Sequence, residues 1–290
     1  MKRKLIVYIL LMIAFPFIAI AQTYKDVATV LMRSTFKIEG PSAVPGKNSV
    51  GTVFLISNST TTDKSVGQPV LVTAHHVLDE IKGDISIVYF TQKQPDGSFK
   101  KMSYQLQIRN KGINLWTKHP TADIATMLFL LPTTFRDTID DVVSSALLAR
   151  DADLEKEDLQ PGEELSCLGY PFGIESNAAG FPILRSGKIA SFPVYPSKIA
   201  PQILLDIRIF GGNSGGPVFF DYTNRRRFGT GLNYHEWRGI AGVLVQDISY
   251  EQTSEGYFGS SMRRDPIGIA VVIPAQFVID TIDIMNKQKN

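Results

Sequence analysis

Short apolar runs separated by polar turns set the rhythm of this chain. Val53–Ile56, Ile85–Phe90, Ile124–Leu131, Ile203–Phe210, Val218–Phe220, Ile240–Val245 and Ile267–Ile273 are rich in β-branched and aromatic residues, which suit a pleated, half-buried surface. Turn formers lie between them, as in Ser42–Asn48, Gln94-Pro95-Asp96-Gly97 and Tyr170-Pro171-Phe172-Gly173. Many short strands with such turns predict an all-β, antiparallel sandwich or barrel. Strands do not alternate with long amphipathic helices, which argues against an α/β fold. Two stretches depart from the rhythm. Asp151–Gly162 is polar and reads as a connection between two halves. Pro274–Met285 sets Phe277, Ile279, Ile282 and Met285 on a roughly helical period behind a proline, predicting a C-terminal helix over 274–286.

The amino end changes the picture of where the chain works. Lys2, Arg3 and Lys4 precede an apolar run from Leu5 to Ala21, and Ala19-Ile20-Ala21 offers the small residues a signal peptidase needs. The pattern predicts a cleaved leader over 1–21 and an exported protein, periplasmic or extracellular. The rival is an uncleaved anchor, but Pro16 interrupts the run and it falls short of the roughly 20 residues a span needs. No later stretch is apolar enough to cross a membrane. Without the three leader cations, 27 basic residues face 28 acidic ones, so no global basic field points to nucleic acid. Cys167 is the one cysteine; an exported fold without paired cysteines rests on core packing. Its apolar surroundings, Leu165–Tyr170, predict an inert packed thiol. Asn58-Ser59-Thr60 fits a glycan acceptor in a eukaryotic secretory pathway and a polar turn in a bacterium.

The strongest local signal is Gly211-Gly212-Asn213-Ser214-Gly215-Gly216-Pro217. A serine among residues with almost no side chain lets a substrate backbone come close. Flexible glycines also let the N–H groups of Gly212 and Ser214 turn toward one point, which a developing oxyanion requires. A plain hairpin turn is the alternative, though it needs fewer glycines. A serine hydroxyl is a weak nucleophile until a base takes its proton. Of the four histidines, His75 and His76 follow an apolar strand that begins at Val70, whereas His119 and His235 lie in polar stretches and read as surface residues. Asp123 stands at the mouth of the apolar run Ile124–Leu131, where an unpaired carboxylate would be costly. An imidazole would pair with it; an ordinary turn aspartate is the alternative.

Taken together, Thr73-Ala74-His75-His76-Val77, Ala122-Asp123-Ile124-Ala125 and Gly212-Asn213-Ser214-Gly215-Gly216-Pro217 resemble the histidine, aspartate and serine motifs of trypsin/chymotrypsin-fold serine peptidases. The chain order His, Asp, Ser matches that family and neither subtilisin nor the α/β-hydrolases. The register places the catalytic imidazole at His76 and puts His75 where the family usually has alanine. Leu168-Gly169-Tyr170-Pro171-Phe172-Gly173, Ser186-Gly187-Lys188-Ile189, Gly268-Ile269-Ala270 and Asp206 resemble bacterial HtrA-type proteases and glutamyl endopeptidases, without a PDZ domain. The resemblance implies two six-stranded antiparallel β-barrels, about 27–150 and 160–273, followed by the helix. It also implies a serine endopeptidase that cleaves protein or peptide substrates through His76, Asp123 and Ser214, with Gly212 and Ser214 as oxyanion donors. No cofactor is expected, and no zinc spacing such as His-Glu-x-x-His is present. Asn213 replaces the aspartate that pairs with a new N-terminus in digestive relatives, so maturation by that route is not expected.

For specificity, the resemblance assigns Arg208, Val245 and Gly268 to the pocket for the residue before the cut, with the polar stretch Asp247–Asp265 as a loop near its rim. Arg208 would favour acidic side chains there, or it points to solvent from its strand, since strand side chains alternate. Two other readings stay open: an inert binding protein on the same fold, and an exported β-barrel whose motifs are coincidental turns.

Overall fold

The computed structural model describes residues 26–58, 68–130, 142–226, 234–256 and 259–288; the leader read at 1–21 lies outside them. A short helix, α1 (Val27–Ser34), opens the described chain. The Asp26 carboxylate accepts the Ala28 N–H at 3.2 Å as its N-cap, and Val27 and Leu31 are buried.

The N-terminal half is a sheet of β1 (Thr35–Pro41), β2 (Asn48–Ser57), β3 (Pro69–Thr73), β4 (Ile85–Lys93) and β5 (Phe99–Gln107). A two-strand side hairpin, β6 (Arg109–Asn110) with β7 (Ile113–Asn114), leads to β8 (Thr117–Lys118), β9 (Ala125–Leu128) and β10 (Val143–Ser144). The order runs β5-β4-β1-β2-β3-β9-β8, and β10 lies parallel to β2. Val53–Ile56 is buried without interruption, so both faces of β2 are covered and the run reads as continuously apolar. Among the described residues this path stays open at β5 and β8, so the first of the two expected barrels is seen here as an open sheet.

The C-terminal half closes. β11 (Glu164–Gly169), β12 (Ile183–Ile189), β13 (Ile203–Asp206), β16 (Gly259–Pro274), β15 (Tyr234–Gly256) and β14 (Pro217–Arg226) form a six-stranded barrel in that order. Closure leaves no edge to template aggregation. Leu165, Cys167, Leu205, Val218, Leu244 and Val272 pack its core. Burial pushes the Cys167 thiol up to about 12, which keeps it protonated and inert.

Three elements differ from the sequence reading. The connection after residue 150 holds a seven-residue helix, α3 (Asp151–Glu157), whose first turn is tied by the Arg150 N–H to the Asp153 carboxylate at 3.0 Å. Of its apolar side chains Leu154 is buried, so no stripe announced it. Past Asp247, β15 and β16 continue as a paired ribbon to Gly256 and Gly259, in place of the expected loop. Residues 251–255 are polar or charged, so no apolar alternation reveals this ribbon. The expected terminal helix is α4 (Ala275–Lys287), but its buried stripe is Val278, Ile282 and Met285, and Phe277 and Ile279 are half-buried. α4 joins the core of the N-terminal half and so straps the end of the second half to the first.

Candidate active site

His76 lies in the first turn of α2 (His75–Glu80), which follows β3 after one residue. The Arg109 guanidinium fixes the other end of α2, donating to the carbonyls of Leu78 (2.6 Å) and Ile81 (2.8 Å), which a helix terminus leaves without partners. Asp123 sits in the turn before β9 and grips His76 twice. Its Oδ2 lies 2.6 Å from the ring Nδ1, and its Oδ1 accepts the His76 backbone N–H at 3.1 Å. A carboxylate held at both oxygens cannot swing, so it dictates which ring nitrogen carries hydrogen. Burial alone would lower the basicity of His76, but the Asp123 hydrogen bond and charge, with Glu80 and Asp79, outweigh it and raise its pKa above the ordinary histidine value. Burial pushes the Asp123 carboxyl up; the His76 hydrogen bonds and charge, with the charge of His75, override that and hold it below its ordinary value.

Two further histidines bear on the Asp123 region: His75, at the position where the family usually has alanine, and His119, read from the sequence as a surface residue. His75 lies between Asp79 and Asp123, with Nδ1 3.0 Å from Asp79 Oδ2 and Nε2 3.6 Å from Asp123 Oδ1. His119 shapes the aspartate turn: its Nδ1 accepts the N–H groups of Thr121 (3.2 Å) and Ala122 (3.0 Å), and its ring packs edge-on against Phe277 of α4 at 5.0 Å. Accepting twice requires an unprotonated Nδ1. Burial lowers the His119 pKa, opposed by the charge of Asp280. The i, i+4 spacing of His75 and Asp79 was readable once α2 is known to be helical; the His119 contacts carried no local sign. The His235 side chain lies outside the described residues.

The serine loop is pinned by its carbonyls. Gly211 O accepts the Phe172 N–H at 2.7 Å, Gly212 O the Thr52 hydroxyl at 2.7 Å, Asn213 O the Gly216 N–H at 3.1 Å and Ser214 O the Thr52 N–H at 2.9 Å. In a trans peptide the N–H points opposite the carbonyl, so each anchor also aims the next amide. The Asn213 N–H goes to Phe210 O (3.1 Å) and the Gly215 N–H to Leu244 O (2.7 Å). The N–H groups of Gly212 and Ser214 donate to nothing among the described residues. Three of the four glycines are sterically required: a Cβ would stand 2.2 Å from Tyr170 O at Gly212, 2.0 Å from Thr52 O at Gly215 and 1.9 Å from Leu168 O at Gly216. Gly211 faces open space.

Ser214 and His76 hang from one patch of strand. Thr52 holds the serine loop, and the Thr73 hydroxyl, three residues before His76, donates to Thr52 O at 2.7 Å. The Ser214 hydroxyl is not bonded to His76; it donates to the Val245 carbonyl at 2.9 Å. Val245 is skipped in the register between Leu244 and Gln246, a bulge that frees its carbonyl. Arg208 is exposed between the buried Ile207 and Ile209, in the stretch that follows the end of β13 at Asp206 and not in a strand running to Phe210. Its guanidinium lies over the Phe210 ring at 5.4 Å, which Arg185 also approaches at 5.6 Å. Gly268 has φ +83 and open space around it, at a second bulge, in β16. Beside Gly211 and Gly212 an open groove of about 580 Å³ runs between Val44, Ser49 and Phe172. Among the described residues no group of three or more His, Cys, Asp or Glu is placed to hold a metal ion, and no helix is long and apolar enough to cross a membrane.

No family model matches the chain, and no curated protein matches it. Solved structures that resemble it include the following proteases. A thermostable serine protease, AL20, from an extremophilic microorganism is 12% identical, with 88% of this chain and 98% of that one covered at a TM-score of 0.44. Protease Anisep from Arthrobacter nicotinovorans is 15% identical, covering 87% and 94% at 0.46. The Rv3671c protease from M. tuberculosis, in its active form, is 17% identical, covering 88% and 82% at 0.45.

Proposed function

We propose that this protein is an exported serine endopeptidase that cleaves peptide bonds through Ser214, His76 and Asp123. The observation that carries the proposal is the pair of unengaged amides, Gly212 and Ser214, beside a serine on a loop pinned to the strands that lead to His76. In this reading the Ser214 side chain turns about Cα–Cβ from the Val245 carbonyl toward His76 Nε2. Its Oγ attacks the scissile carbonyl while His76 takes the proton; Asp123 keeps the imidazole in the right tautomer and stabilises the imidazolium. The negative oxygen of the tetrahedral intermediate lies against the N–H groups of Gly212 and Ser214. His76 then returns the proton to the leaving amine, and water, activated by the same imidazole, hydrolyses the acyl-enzyme. Export follows from the leader at 1–21, and the finer likeness to HtrA-type and glutamyl endopeptidases from Gly169–Gly173 and Asp206. Incubation with a mixed peptide library tests the proposal: the wild type generates new termini and Ser214→Ala does not. Equal, negligible cleavage by both would refute it.

One observation favours the inert alternative. The Ser214 hydroxyl already has a partner in the Val245 carbonyl, so a protein in which that bond is permanent would bind peptides without cutting them. Tight binding of library peptides without turnover would support that reading.

A further inference from the structure

The turn that aims the Gly212 amide is itself held from the N-terminal half. Gly211 O, on the peptide that carries the Gly212 N–H, accepts the Phe172 N–H at 2.7 Å. Phe172 is left-handed, with φ 53 and ψ 24, and its ring lies against Phe210 at 4.9 Å. A residue with a Cβ is strained in that conformation and keeps it only where its surroundings fix it. Two bonds close the turn on itself, from Gly173 N–H to Tyr170 O (2.8 Å) and from Ile174 N–H to Pro171 O (2.9 Å). The other anchors come across from the sheet. Lys37 of β1 lies 2.7 Å from Glu175 Oε1 and reaches Gly173 O at 3.5 Å, while Lys101 of β5 donates to Glu175 Oε2 at 2.8 Å.

This clamp is shielded from water. The side chains of Lys37 and Glu175 are 12% and 13% exposed, so salt screens the pair less than it would a surface one. The Tyr89 ring of β4 lies near both ammonium groups, at 4.6 Å from Lys37 and 5.5 Å from Lys101, and its hydroxyl donates to Glu39 at 2.6 Å. Burial pushes the Glu175 carboxyl up, but the bonds and charges of Lys101 and Lys37 override that and hold it below its ordinary value. Lys37 also stands opposite Thr52 in the β1–β2 register. Directly opposed residues share a face, so the lysine that pins the turn neighbours the threonine that pins the serine loop.

Resting on the peptidase reading above, we propose that Lys37, through Glu175, is a positioning residue for the oxyanion donors. It fixes the turn Tyr170–Glu175 so that Phe172 orients the Gly211–Gly212 peptide and aims the Gly212 N–H at the developing oxyanion. The Ser214 N–H is set separately, by the bond from Gly216 N–H to Asn213 O. The clamp therefore governs one donor of the two. An interaction of this kind acts on the transition state and leaves ground-state binding of the peptide nearly untouched.

Two readouts test it: kcat and KM on a peptide that the wild type cleaves, and the phosphorus resonance of the fluorophosphonate adduct at Ser214. Wild type, Lys37→Met, Lys37→Arg and Glu175→Gln are compared, with near-UV circular dichroism reporting the fold. Lys37→Met is expected to lower kcat about tenfold and Glu175→Gln about threefold, with KM changed by less than about twofold. Both should shift the phosphorus resonance, because one hydrogen bond to the phosphonyl oxygen is loosened. Lys37→Arg keeps the cation and is expected to recover part of the rate lost in Lys37→Met. A purely structural clamp would lower the melting temperature and leave kcat and the resonance in place, which overturns the inference. If Lys37→Met does not fold, the near-isosteric Glu175→Gln decides by the same readouts. Wild-type kcat and resonance in the folded variants overturn this inference and leave the peptidase reading intact. A wild type that neither cleaves peptides nor takes the label overturns both.

Discussion

The backbone N–H of Thr52, in the N-terminal half, donates to the carbonyl of Ser214, in the C-terminal half, at 2.9 Å. The same residue gives its hydroxyl to Gly212 O and takes that of Thr73 on its own carbonyl, both at 2.7 Å. One threonine thus joins the serine loop to the strand that leads to His76. Two halves of independent topology are registered on each other at the point where the proposed chemistry needs them.

Thr52→Val keeps the shape and removes the hydroxyl. Gly212 O is then buried without its partner, a loss of about 1–3 kcal/mol. The peptide that aims the Gly212 N–H is also less fixed. The expected outcome is a lower melting temperature and a kcat reduced about tenfold or more, with a smaller change in KM. Unchanged kcat on a cleaved peptide would detach Thr52 from the site.

Glycines of the loop divide into required and replaceable ones. At Gly215 a Cβ would meet Thr52 O at 2.0 Å and Thr73 Oγ1 at 2.1 Å, on a backbone at φ +91, so Gly215→Ala is expected to cost about 3 kcal/mol or more. Gly211→Ala adds its Cβ to open space and is expected to change stability by about 0.5 kcal/mol or less. Denaturant titration of the two variants compares them. Equal losses would mean that the loop is packed differently.

Activity and stability depend on His76 with opposite sign. Its pKa is raised in the folded protein, so the neutral base accumulates above the ordinary histidine value of about 6.5, and activity rises through a midpoint higher than that. The stability gained from the paired imidazolium is complete below the unfolded pKa and is lost as pH rises through the folded one. Thermal melts should therefore show the gap between wild type and His76→Gln narrowing as pH rises through the activity midpoint. Asp123 acts the other way: its carboxyl is held low, so its contribution is present above about pH 3.9 and fades as pH falls through the folded value. A gap that widens toward high pH would contradict the pairing at His76.

Asn213 is 3% exposed, and its Nδ2 has no hydrogen-bond partner among the described residues. Asn213→Asp would place a carboxylate there. The expected result is a loss of roughly 1–3 kcal/mol near neutral pH, partly recovered on acidification, since a buried carboxyl is cheaper to hold protonated. Stabilisation or activation of this variant after trimming of the N-terminus would instead point to an ion pair with a newly made terminus.

The parts of the site that were legible in the sequence are those fixed by local sterics. Ser214 stands among glycines because neighbouring carbonyls leave no room for Cβ atoms, and His76 follows a strand whose end sets its position. Arg208, whose direction the sequence left open, is exposed between the buried Ile207 and Ile209. What could not be read is held through space. His119 reaches Asp123 through a turn and Phe277 of a helix far along the chain, and Thr52 meets the serine loop across the two halves. The ribbon beyond Asp247 and helix α3 were hidden for a different reason: residues 251–255 are polar or charged, and α3 has one buried apolar side chain, Leu154, so neither prints an apolar period.

The most direct measurement is the mass of the folded protein after exposure to a fluorophosphonate, with the adduct mapped by peptide sequencing. The account predicts one phosphonyl group on Ser214 and none in His76→Ala. A folded protein that stays unmodified, or carries the group at another residue, would contradict it.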